Sequence, residues 1–388
     1  MIRHLFKLIW NQKRKNLGIL FEILFSYMVL FAVFTFGFFY LRFYLQPLGF
    51  EYKDRWAVFL NWNDTPGEDV ETIQQAMVDQ LKGHVEIERF AFSNEVMPFA
   101  NYINFTGFKT EEKSEGAYVF TADDRYFQTM GMHLQEGRWF EEEDESAPVL
   151  PAVVTRSFGK AMFGTDSPLG KSIIEGDNTQ RKIIGVVDDF RFGGDLEGRN
   201  NSVFLRMSTR QPAPRMLLKV KSSAGAAFEA KLLKDFQRLA PGWSIEIKYM
   251  EEMRRTNIRQ RLIPLIAFGI IGLFLVFNVA LGLFGVLWQN IGKRREEIGV
   301  RRAMGSTQKE IASQFIGEMT VLATLSLLLG VFFAVQFPLL HVFKVATEVY
   351  IAAILAGMLV IYSLVFLCSF FPSLQAARMH PAVALRDE

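Results

Sequence analysis

One stretch of the sequence comes close to a nucleotide-binding loop. Residues Gly164 to Ser172 read GTDSPLGKS, with a glycine on each side of a short insert and Lys-Ser at the end. A P-loop has four residues between its glycines, because that length lets the backbone N–H groups close around phosphate. Here five residues separate Gly164 from Gly170. The spacing therefore argues against nucleotide binding by this stretch.

Other residues that could do chemistry are present, but their spacing is wrong for it. Asp188 and Asp189 are adjacent, so in a strand their side chains point to opposite faces. The acidic run from Glu141 to Glu145 is typical of a solvated loop. The five histidines are scattered and form no HExxH pattern. We expect no catalytic residue and no metal site. No Ser/His/Asp set is recognisable, but sequence spacing alone does not rule out residues that meet only in the fold.

Composition indicates a membrane protein. Of the 388 residues, 50% are hydrophobic and 38 are Phe, which is more apolar than a typical soluble protein. The net charge of +2 gives no reason to expect a nucleic-acid partner. The sequence has one cysteine, Cys368, which lies in an apolar run. A single cysteine excludes a disulfide framework and a Cys-based metal site.

The charged stretch from Lys293 to Gly305, KRREEIGVRRAMG, orients the rest of the chain. It lies between two long apolar runs, and positive charge beside a membrane span marks the cytoplasmic side. Glu297 and Arg301 are spaced i,i+4, which supports a helix. Ile298, Arg301 and Arg302 would share one face of this helix, with Val300 and Met304 on another.

The same stretch carries signals for a helix end and a new helix start. Gly305 stands where a helix-ending glycine would fall, and Thr307 with Glu310 forms a capping-box pattern. We interpret the region as a rigid docking element made of a helix, a tight break and a second helix. A solvated loop whose basic residues only set the topology is the alternative.

Four apolar runs are long enough to span a bilayer. The first, 17–41, has about 25 residues, or roughly 37 Å as a helix, which is too long for the apolar region of a signal peptide. Lys and Arg are concentrated at the two termini and in 293–309, so we place both termini in the cytoplasm of a multi-pass protein of the bacterial inner membrane. The predicted order is an interfacial amphipathic helix 1–16, span one 17–41, an extracytoplasmic domain 42–250, a stalk helix with span two 251–288, a cytoplasmic elbow 289–318, span three 319–340, an outer connector 341–348, span four 349–371 and a cytoplasmic tail 372–388.

The large domain between spans one and two alternates strand and helix patterns at irregular spacing. That mixture predicts an α+β fold, and a lobe inserted over 116–208 is one interpretation of it. The predicted fold class is therefore four transmembrane α-helices with a large α+β extracytoplasmic domain between the first two.

Small and acidic residues within the spans are candidate packing sites. Gly269, Gly272, Gly282 and Gly285 lie in span two, where small residues let helices approach closely. Glu22 is an acid within span one. It either snorkels toward the cytoplasmic surface or faces a helix partner inside the membrane.

Several stretches together resemble the MacB and FtsX group of ABC-transporter permeases. The stretch KRREEIGVRRAMGSTQKEI, 293–311, is similar to that group's loop between its second and third spans. The tail PSLQAARMHPAVALRDE, 372–388, is similar to the group's C-terminal end. DDRYFQTMGMHLQEGRWF, FGTDSPLGKSI and KIIGVVDDFRF resemble a MacB-like periplasmic core domain. The order of span, large domain and three further spans also resembles the family.

The resemblance implies a mechanotransmission permease that catalyses nothing itself. Its elbow would dock into an ATP-binding cassette ATPase, and the absence of an attached ATPase domain implies a separate chain that binds ATP and Mg²⁺. A second permease copy or a paralogue would complete the unit through spans one and two. The implied ATPase-coupling residues are Arg294, Glu296, Glu297, Ile298, Arg301 and Gly305, and the implied packing residues are Glu22, Gly269, Gly272 and Gly282.

Three functional hypotheses follow. The first is an export permease for an antimicrobial compound or peptide, working with a periplasmic adaptor and an outer-membrane channel. The second is a lipoprotein-releasing permease of the same architecture, whose groove between subunits would be open to membrane lipid. The third is a membrane-anchored scaffold or regulator of a periplasmic partner that needs no ATPase.

Overall fold

The computed structural model describes residues 13–62, 69–94, 97–100, 104–208 and 211–377. The predicted interfacial helix 1–16 therefore lies outside the described residues up to position 12, and the predicted tail lies outside them beyond Ala377. The chain divides into two compact units. We call Phe43–Arg261 the interspan domain, and the segments on either side of it the helical unit.

The α-helices of the described residues are concentrated in the helical unit. They are α1 Lys13–Tyr44, α2 Val70–Lys82, α3 Tyr126–Met130, α4 Arg156–Phe163, α5 Ala226–Leu239, α6 Met250–Lys293, α7 Arg295–Ala303, α8 Gln308–Leu339 and α9 Thr347–Ala377.

The strands of the described residues all lie in the interspan domain. They are β1 Arg55–Asn61, β2 Ile87–Ser93, β3 Phe105–Lys109, β4 Ser114–Ala122, β5 Leu134–Gly137, β6 Leu150–Thr155, β7 Ser172–Glu175, β8 Gln180–Val187, β9 Ser202–Arg206, β10 Arg215–Val220 and β11 Ser244–Tyr249.

Four of the helices, α1, α6, α8 and α9, are long and apolar enough to cross a membrane. The helix α6 has 44 residues and includes Pro264, as the uninterrupted sequence from the charged stalk into the apolar run predicts. The helix α8 begins 11 residues before the apolar run at Met319, because its cap lies at Thr307. The helix α9 continues through Pro372 to Ala377. Helical hydrogen bonding thus extends beyond the apolar segments at both places.

One part of the interspan sheet is a split βαβ arrangement. Its strands lie in the order β11-β1-β10-β2, and the chain runs β1-α2-β2 and then β10-α5-β11. One face of these strands is apolar because alternate residues point the same way. On that side Trp56 of β1 is buried together with residues of α2 and with Leu232 and Phe236 of α5.

The residues between β2 and β10 form a second, closed set of strands. The order is β4-β3-β7-β8-β6-β9, and β9 pairs with β4 in parallel, which closes the set. Its interior contains Phe108, Phe158 and Ile183. The two sets are joined where Ser93 of β2 pairs with Ala122 of β4. The closed set starts at Phe105, ahead of the position 116 suggested for an inserted lobe.

The strands β3 and β5 lack the sequence pattern of a half-buried strand. The sequence of β3, FTGFK, is short and contains a glycine, and all four residues of β5 are exposed. Neither shows the apolar alternation by which a half-buried strand is recognised. Both are held by pairing with distant strands, β3 with β4 and β5 with β8.

Candidate functional site

The elbow between α6 and α8 is a short helix with a break in helical geometry on either side. The helix α6 ends at Lys293, Arg294 leaves helical geometry (φ −107°, ψ 17°), and α7 follows directly. Gly305 then takes a φ of +100°, and the N–H of Ser306 donates to the carbonyl of Arg301 at 3.0 Å. Glycine adopts this left-handed conformation without the cost that a Cβ imposes. The predicted glycine stop is confirmed.

The second helix of the elbow starts with a complete capping box. The N–H of Thr307 donates to Glu310 Oε2 at 2.9 Å, and the N–H of Glu310 donates to Thr307 Oγ1 at 3.3 Å. Two N–H groups that would otherwise lack a partner are satisfied. The predicted start of a new helix at Thr307 is confirmed.

A chain of polar contacts holds α7 against α8. Arg301 pairs with Glu297 on its own helix and donates to Gln314 Oε1 at 2.8 Å. Gln314 donates to Glu318 Oε1 at 3.4 Å, and Arg294 Nη1 donates to the same oxygen at 2.8 Å. Glu318 is only 5% exposed. A buried carboxylate with a bonded guanidinium is a strong positional constraint, because breaking such a pair is costly.

The two faces of α7 differ in the way that the sequence predicts. Ile298 is 4% exposed and packs in the core of the helical unit, so it anchors α7 in that core. Val300 and Met304 are 44% and 75% exposed. Glu296 and Glu297 are also exposed. The exposed surface of α7 and its C-terminal end is therefore an apolar pair beside two carboxylates.

The predicted packing residues of span two lie in different environments. At Gly282 a Cβ would come within 2.8 Å of Glu22 Oε2, so this glycine makes room for the acid of α1. At Gly272 a Cβ would contact Val29 of α1 at 3.5 Å. Gly269 has nothing within 4 Å of the Cβ position. Within one chain, Gly272 and Gly282 thus bring α1 against α6.

A tyrosine that the sequence reading did not single out joins α1 to α8 and α9. Tyr27 is fully buried, and its ring lies between two glycines. A Cβ on Gly330 of α8 would overlap the ring, and one on Gly357 of α9 would approach it at 3.0 Å. Small residues at both positions admit the aromatic ring between the helices.

Two stretches of the interspan domain that could suggest chemistry are not arranged for it. The stretch 164–172 joins the end of α4 to the start of β7, which reverses the strand–loop–helix order of a P-loop. Asp188 pairs with Arg156 at 3.5 Å, whereas Asp189 pairs with Arg199 at 3.4 Å. The two adjacent carboxylates therefore serve separate ion pairs.

The acidic run 141–145 is exposed as expected except at Asp144, but it is helical and not an open loop. Glu142–Ser146 form a 3₁₀ helix in which Asp144 is buried. Arg138 donates to both oxygens of Asp144 at 2.7 Å, and this hydrogen bonding lowers the pKa of the carboxyl group from its ordinary value. A bidentate arginine stabilises the ionised form, so this acid has a structural role.

Asp123 is the buried carboxyl group with the opposite shift. Burial raises its pKa to about 6, although Arg125 Nε donates to Asp123 Oδ2 at 3.2 Å and favours the ionised form. Within the described residues, no group of three or more His, Cys, Asp or Glu side chains could hold a metal ion.

Sequence reasoning missed Gln314 and Glu318 because both precede the apolar run and were assigned to the elbow. The available signal was their i,i+4 spacing after the capping box at Thr307. Tyr27, Gly330 and Gly357 gave no such signal, since three separate apolar runs must be brought together before the packing becomes visible.

Two family descriptions match the chain. Residues 23–234, more than half of the chain, match the MacB-like periplasmic core domain. Residues 269–381 match the FtsX-like permease C-terminal region. Together the two matches include two of the four candidate spans in full, the other two in part, and most of the interspan domain.

Curated relatives are similar at low identity. The macrolide export ATP-binding/permease protein MacB of Pasteurella multocida is 24% identical over 348 residues, which cover 84% of this chain and 50% of that protein. The pyoverdine export ATP-binding/permease protein PvdT of Pseudomonas syringae pv. tomato is 24% identical over 283 residues, covering 70% of this chain and 43% of that one. The chain thus spans about half the length of the curated relatives it matches.

Solved structures of isolated domains are also similar. The periplasmic region of MacB from Actinobacillus actinomycetemcomitans aligns with a TM-score of 0.40 and 19% identity, covering 55% of this chain and 96% of that one. The extracellular domain of the transporter YknZ aligns with a TM-score of 0.35 and 15% identity, covering 49% and 99%.

Proposed function

This chain belongs to the family of MacB-like and FtsX-like ABC-transporter permeases, and from that premise we propose that it is a mechanotransmission permease driven by a separate ATPase. It is a multi-pass protein of the bacterial inner membrane. In the proposal, both termini and the elbow lie in the cytoplasm and the interspan domain lies in the periplasm. ATP and Mg²⁺ bind to the ATPase, and this chain converts ATPase closure into movement of its interspan domain.

The observation that supports this proposal is the construction of the elbow. The short helix α7 is bounded at both ends by breaks in helical geometry and is held to α8 through Arg294 and Glu318. An element that receives a mechanical push must be rigid relative to the helices that it moves. The adjoining α6 is one helix of 44 residues, or roughly 66 Å at 1.5 Å per residue, which suits it to carry displacement over the width of a membrane.

The exposed face of α7 supplies the contact in this proposal. Val300 and Met304 lie one turn apart and are both exposed, so they can enter an apolar depression together. Glu296 and Glu297 beside them would meet basic residues at its rim. Arg294 and Arg301 act from behind this face by holding α7 in place, as does the buried Ile298.

Co-purification tests the coupling proposal. The tagged chain is extracted in mild detergent, and bound proteins are identified by mass spectrometry. We expect an ATP-binding subunit to be recovered with the unmodified chain and with Met304→Leu, and to fall at least tenfold with Val300→Asp/Met304→Asp. Both positions are exposed, so the charged variant should fold, and unchanged thermal unfolding checks this.

Two results would argue for a different function. If the Val300→Asp/Met304→Asp variant retains the ATPase, the exposed pair is not the contact. If only periplasmic proteins are recovered with the unmodified chain, the scaffold hypothesis replaces the transporter hypothesis.

We further propose that the transported substrate is an antimicrobial compound or peptide, with a periplasmic adaptor and an outer-membrane channel as partners. The support is that relatives over most of this chain are named as exporters of macrolides and of pyoverdine. Loss of the chain should then lower the minimal inhibitory concentration of such compounds. Unchanged susceptibility, together with lipoproteins retained in the inner membrane, would instead support the lipoprotein-releasing alternative.

A second permease copy or a paralogue is proposed to complete the transport unit. The support is the wide apolar surface of α6, where Phe274, Phe277 and Leu281 are exposed. Open positions such as Gly269 and Gly285, with nothing within 4 Å, would permit a second helix to approach closely. Mass measurement of the detergent-extracted complex would reveal whether one or two permease chains are present.

A further inference from the structure

The loop between β8 and β9, residues 188–201, contacts both ends of the interspan domain. One end is the segment that follows the first span, starting at Phe43, and the other is the part of α6 that ends this domain at Arg261. The two ends are separated by more than 200 positions in sequence. The loop, which lies between them in sequence, is where their contacts converge.

Arg191 of this loop binds the segment after the first span. The side chain is 1% exposed. Its Nη1 donates to the carbonyl of Gln46 at 2.7 Å, and its backbone N–H donates to the carbonyl of Leu48 at 2.9 Å. A Cβ on Gly49 would overlap the carbonyl of Asp189. The loop and the segment 46–49 therefore lie in direct backbone contact.

The remaining donors of Arg191 fix the shape of the loop itself. Its Nη2 donates to the carbonyls of Asp195 and Glu197 at 2.8 and 2.7 Å, and Nε also donates to Glu197 at 3.1 Å. The planar guanidinium presents five N–H donors in a fixed arrangement. Here each of its three nitrogens donates to at least one backbone carbonyl oxygen. One side chain thus organises both the loop and its contact with residues 46–48.

Two acidic residues of the same loop bind α6. Asp195 receives two hydrogen bonds from Arg254, at 2.8 and 2.7 Å, and Arg254 also donates to Tyr52 at 3.0 Å. Glu197 Oε2 receives one from Arg261 Nη2 at 2.7 Å.

The backbone of the loop also approaches α6 closely. A Cβ on Gly194 would come within 2.8 Å of the Asn257 side chain, and Gly194 has a φ of +99°. Asn257 is itself buried and accepts from Arg261 at 3.2 Å. Loop 188–201 therefore contacts α6 at positions 254, 257 and 261, one face over about two turns.

We propose that loop 188–201 is a clasp that makes the segment leaving the first span and the helix entering the second span move as one body. Arg191 supplies its contacts with residues 46–48, and the carboxylates of Asp195 and Glu197 supply its contacts with α6. The clasp stands on contacts within the interspan domain. Its role in transmitting motion rests on the proposed mechanotransmission function.

Hydrogen–deuterium exchange of the full-length chain in detergent tests the clasp. In Asp195→Asn/Glu197→Gln the ion pairs to α6 are removed while the loop keeps its volume. We expect several-fold faster exchange in peptides covering 43–49 and 189–200, as well as in 250–261. The N–H of Arg191, bonded to Leu48, and that of Phe99, bonded to Phe192 at 2.7 Å, report on the loop directly.

Faster exchange confined to 250–261 would overturn the proposal. It would show that the ion pairs stabilise α6 locally and do not connect it to residues 43–49. Reversing one pair, as Asp195→Arg/Arg254→Asp, should restore slow exchange in all three segments. Asp195→Asn/Glu197→Gln could instead speed up exchange throughout the interspan domain. The charge-reversed variant then distinguishes the two explanations: slow exchange in it supports the clasp, and fast exchange overturns it.

Glu175→Gln is the matched control. Glu175 of β7 pairs with Arg181 of β8 at 2.7 Å, and this pair is about as buried as the Arg254–Asp195 pair. Removing this charge should leave exchange in 43–49 and 250–261 unchanged. Equal acceleration there by Glu175→Gln would make the clasp effect non-specific and would overturn the assignment.

A second measurement separates the clasp from the transport proposal. With the co-purified ATPase bound, a non-hydrolysable ATP analogue should change exchange in both 43–49 and 250–261 of the unmodified chain. In Asp195→Asn/Glu197→Gln it should change 250–261 alone. A response of both segments in this variant would overturn the clasp, whereas failure to recover an ATPase would remove the transport proposal and leave the exchange measurements above to decide the clasp.

Discussion

At the scale of single residues, Asp123 links the interspan domain to pH. It directly follows Ala122 of β4, whose pairing with β2 joins the split βαβ part of the sheet to the closed set of strands. Its N–H donates to the carbonyl of Phe92 at 3.0 Å. Its surroundings contain Arg125, Asp124 and Tyr126. Burial is the larger effect and raises the pKa of Asp123 to about 6. The periplasm follows the external pH, so this group would titrate under ordinary conditions if the domain lies there.

Because the pKa of Asp123 is raised in the folded chain, the free energy of unfolding falls as pH rises. The fold favours the protonated form, so the stabilisation is fully present below the ordinary pKa of about 4 and is lost as pH rises through about 6. We predict that the full-length chain loses on the order of 1 kcal/mol between pH 5 and pH 7.5 relative to Asp123→Asn. Thermal unfolding of both proteins across that range measures the difference.

Asp177 provides a control with the opposite sign. Backbone hydrogen bonding from Thr179 lowers its pKa, so its contribution is present above its ordinary pKa and is lost as pH falls. Asp177→Asn should therefore leave the pH 5 to 7.5 difference intact. A wild-type profile parallel to that of Asp123→Asn would contradict the assignment of the pH effect to Asp123.

At the scale of helices, the fit of α1, α8 and α9 depends on Tyr27 and its two glycines. A helical Gly→Ala change alone usually adds up to about 1 kcal/mol of helix stability. At Gly330 the added methyl group meets a ring that is buried and enclosed, so overpacking should outweigh that gain. We predict a net destabilisation of about 1 to 3 kcal/mol for Gly330→Ala, seen as a lower thermal midpoint in detergent.

Gly285→Ala is the matched change, since nothing lies within 4 Å of that Cβ position. It should be neutral or slightly stabilising in the isolated chain. Tyr27→Leu should relieve the defect of Gly330→Ala by vacating the contested space. Equal midpoints for the two alanine variants would show that Tyr27 can move aside.

The attachment of α7 to α8 gives a second prediction at this scale. Glu318→Ala leaves the guanidinium of Arg294 without its buried carboxylate, and breaking a buried pair costs roughly 3 kcal/mol or more. Hydrogen exchange in 294–306 should rise strongly. Glu297→Ala removes an exposed partner of Arg301, where pairs contribute at most about 1 kcal/mol, and exchange there should change little. A larger effect of Glu297→Ala would reverse the roles that we assign to the two acids.

At the scale of the whole molecule, the distribution of Lys and Arg predicts which parts face which side of the membrane. In a Cys368→Ser background, Glu112→Cys lies in the interspan domain and Glu296→Cys on α7, and both native side chains are exposed. A membrane-impermeant maleimide added to cells with a permeabilised outer membrane should label Glu112→Cys at least tenfold more than Glu296→Cys. Disrupting the inner membrane should equalise them. The reverse preference would invert the topology and remove the elbow from the cytoplasm.

Much of this architecture could be predicted from the sequence because its signals are local. Apolar length identified four helices that can span a membrane, and Gly305, Thr307 and Glu310 marked the break in the elbow through dihedral preference and capping. The Glu297–Arg301 pair follows from helical spacing alone. The family was likewise recognisable, because its motifs are continuous stretches of chain.

Other features depend on residues that meet only after folding. Nothing near Glu318 in sequence identifies Arg294 as its partner, nor does Tyr27 indicate the two glycines that enclose it. The short strands β3 and β5 lack apolar alternation and are defined by their pairing with other strands. Arg191, Asp195 and Glu197 read as ordinary loop residues until the fold brings residues 46–48 and the start of α6 to the same place. Periodicity and capping act within a few residues and are therefore visible in sequence, whereas burial and ion pairing between distant segments are decided by the tertiary structure.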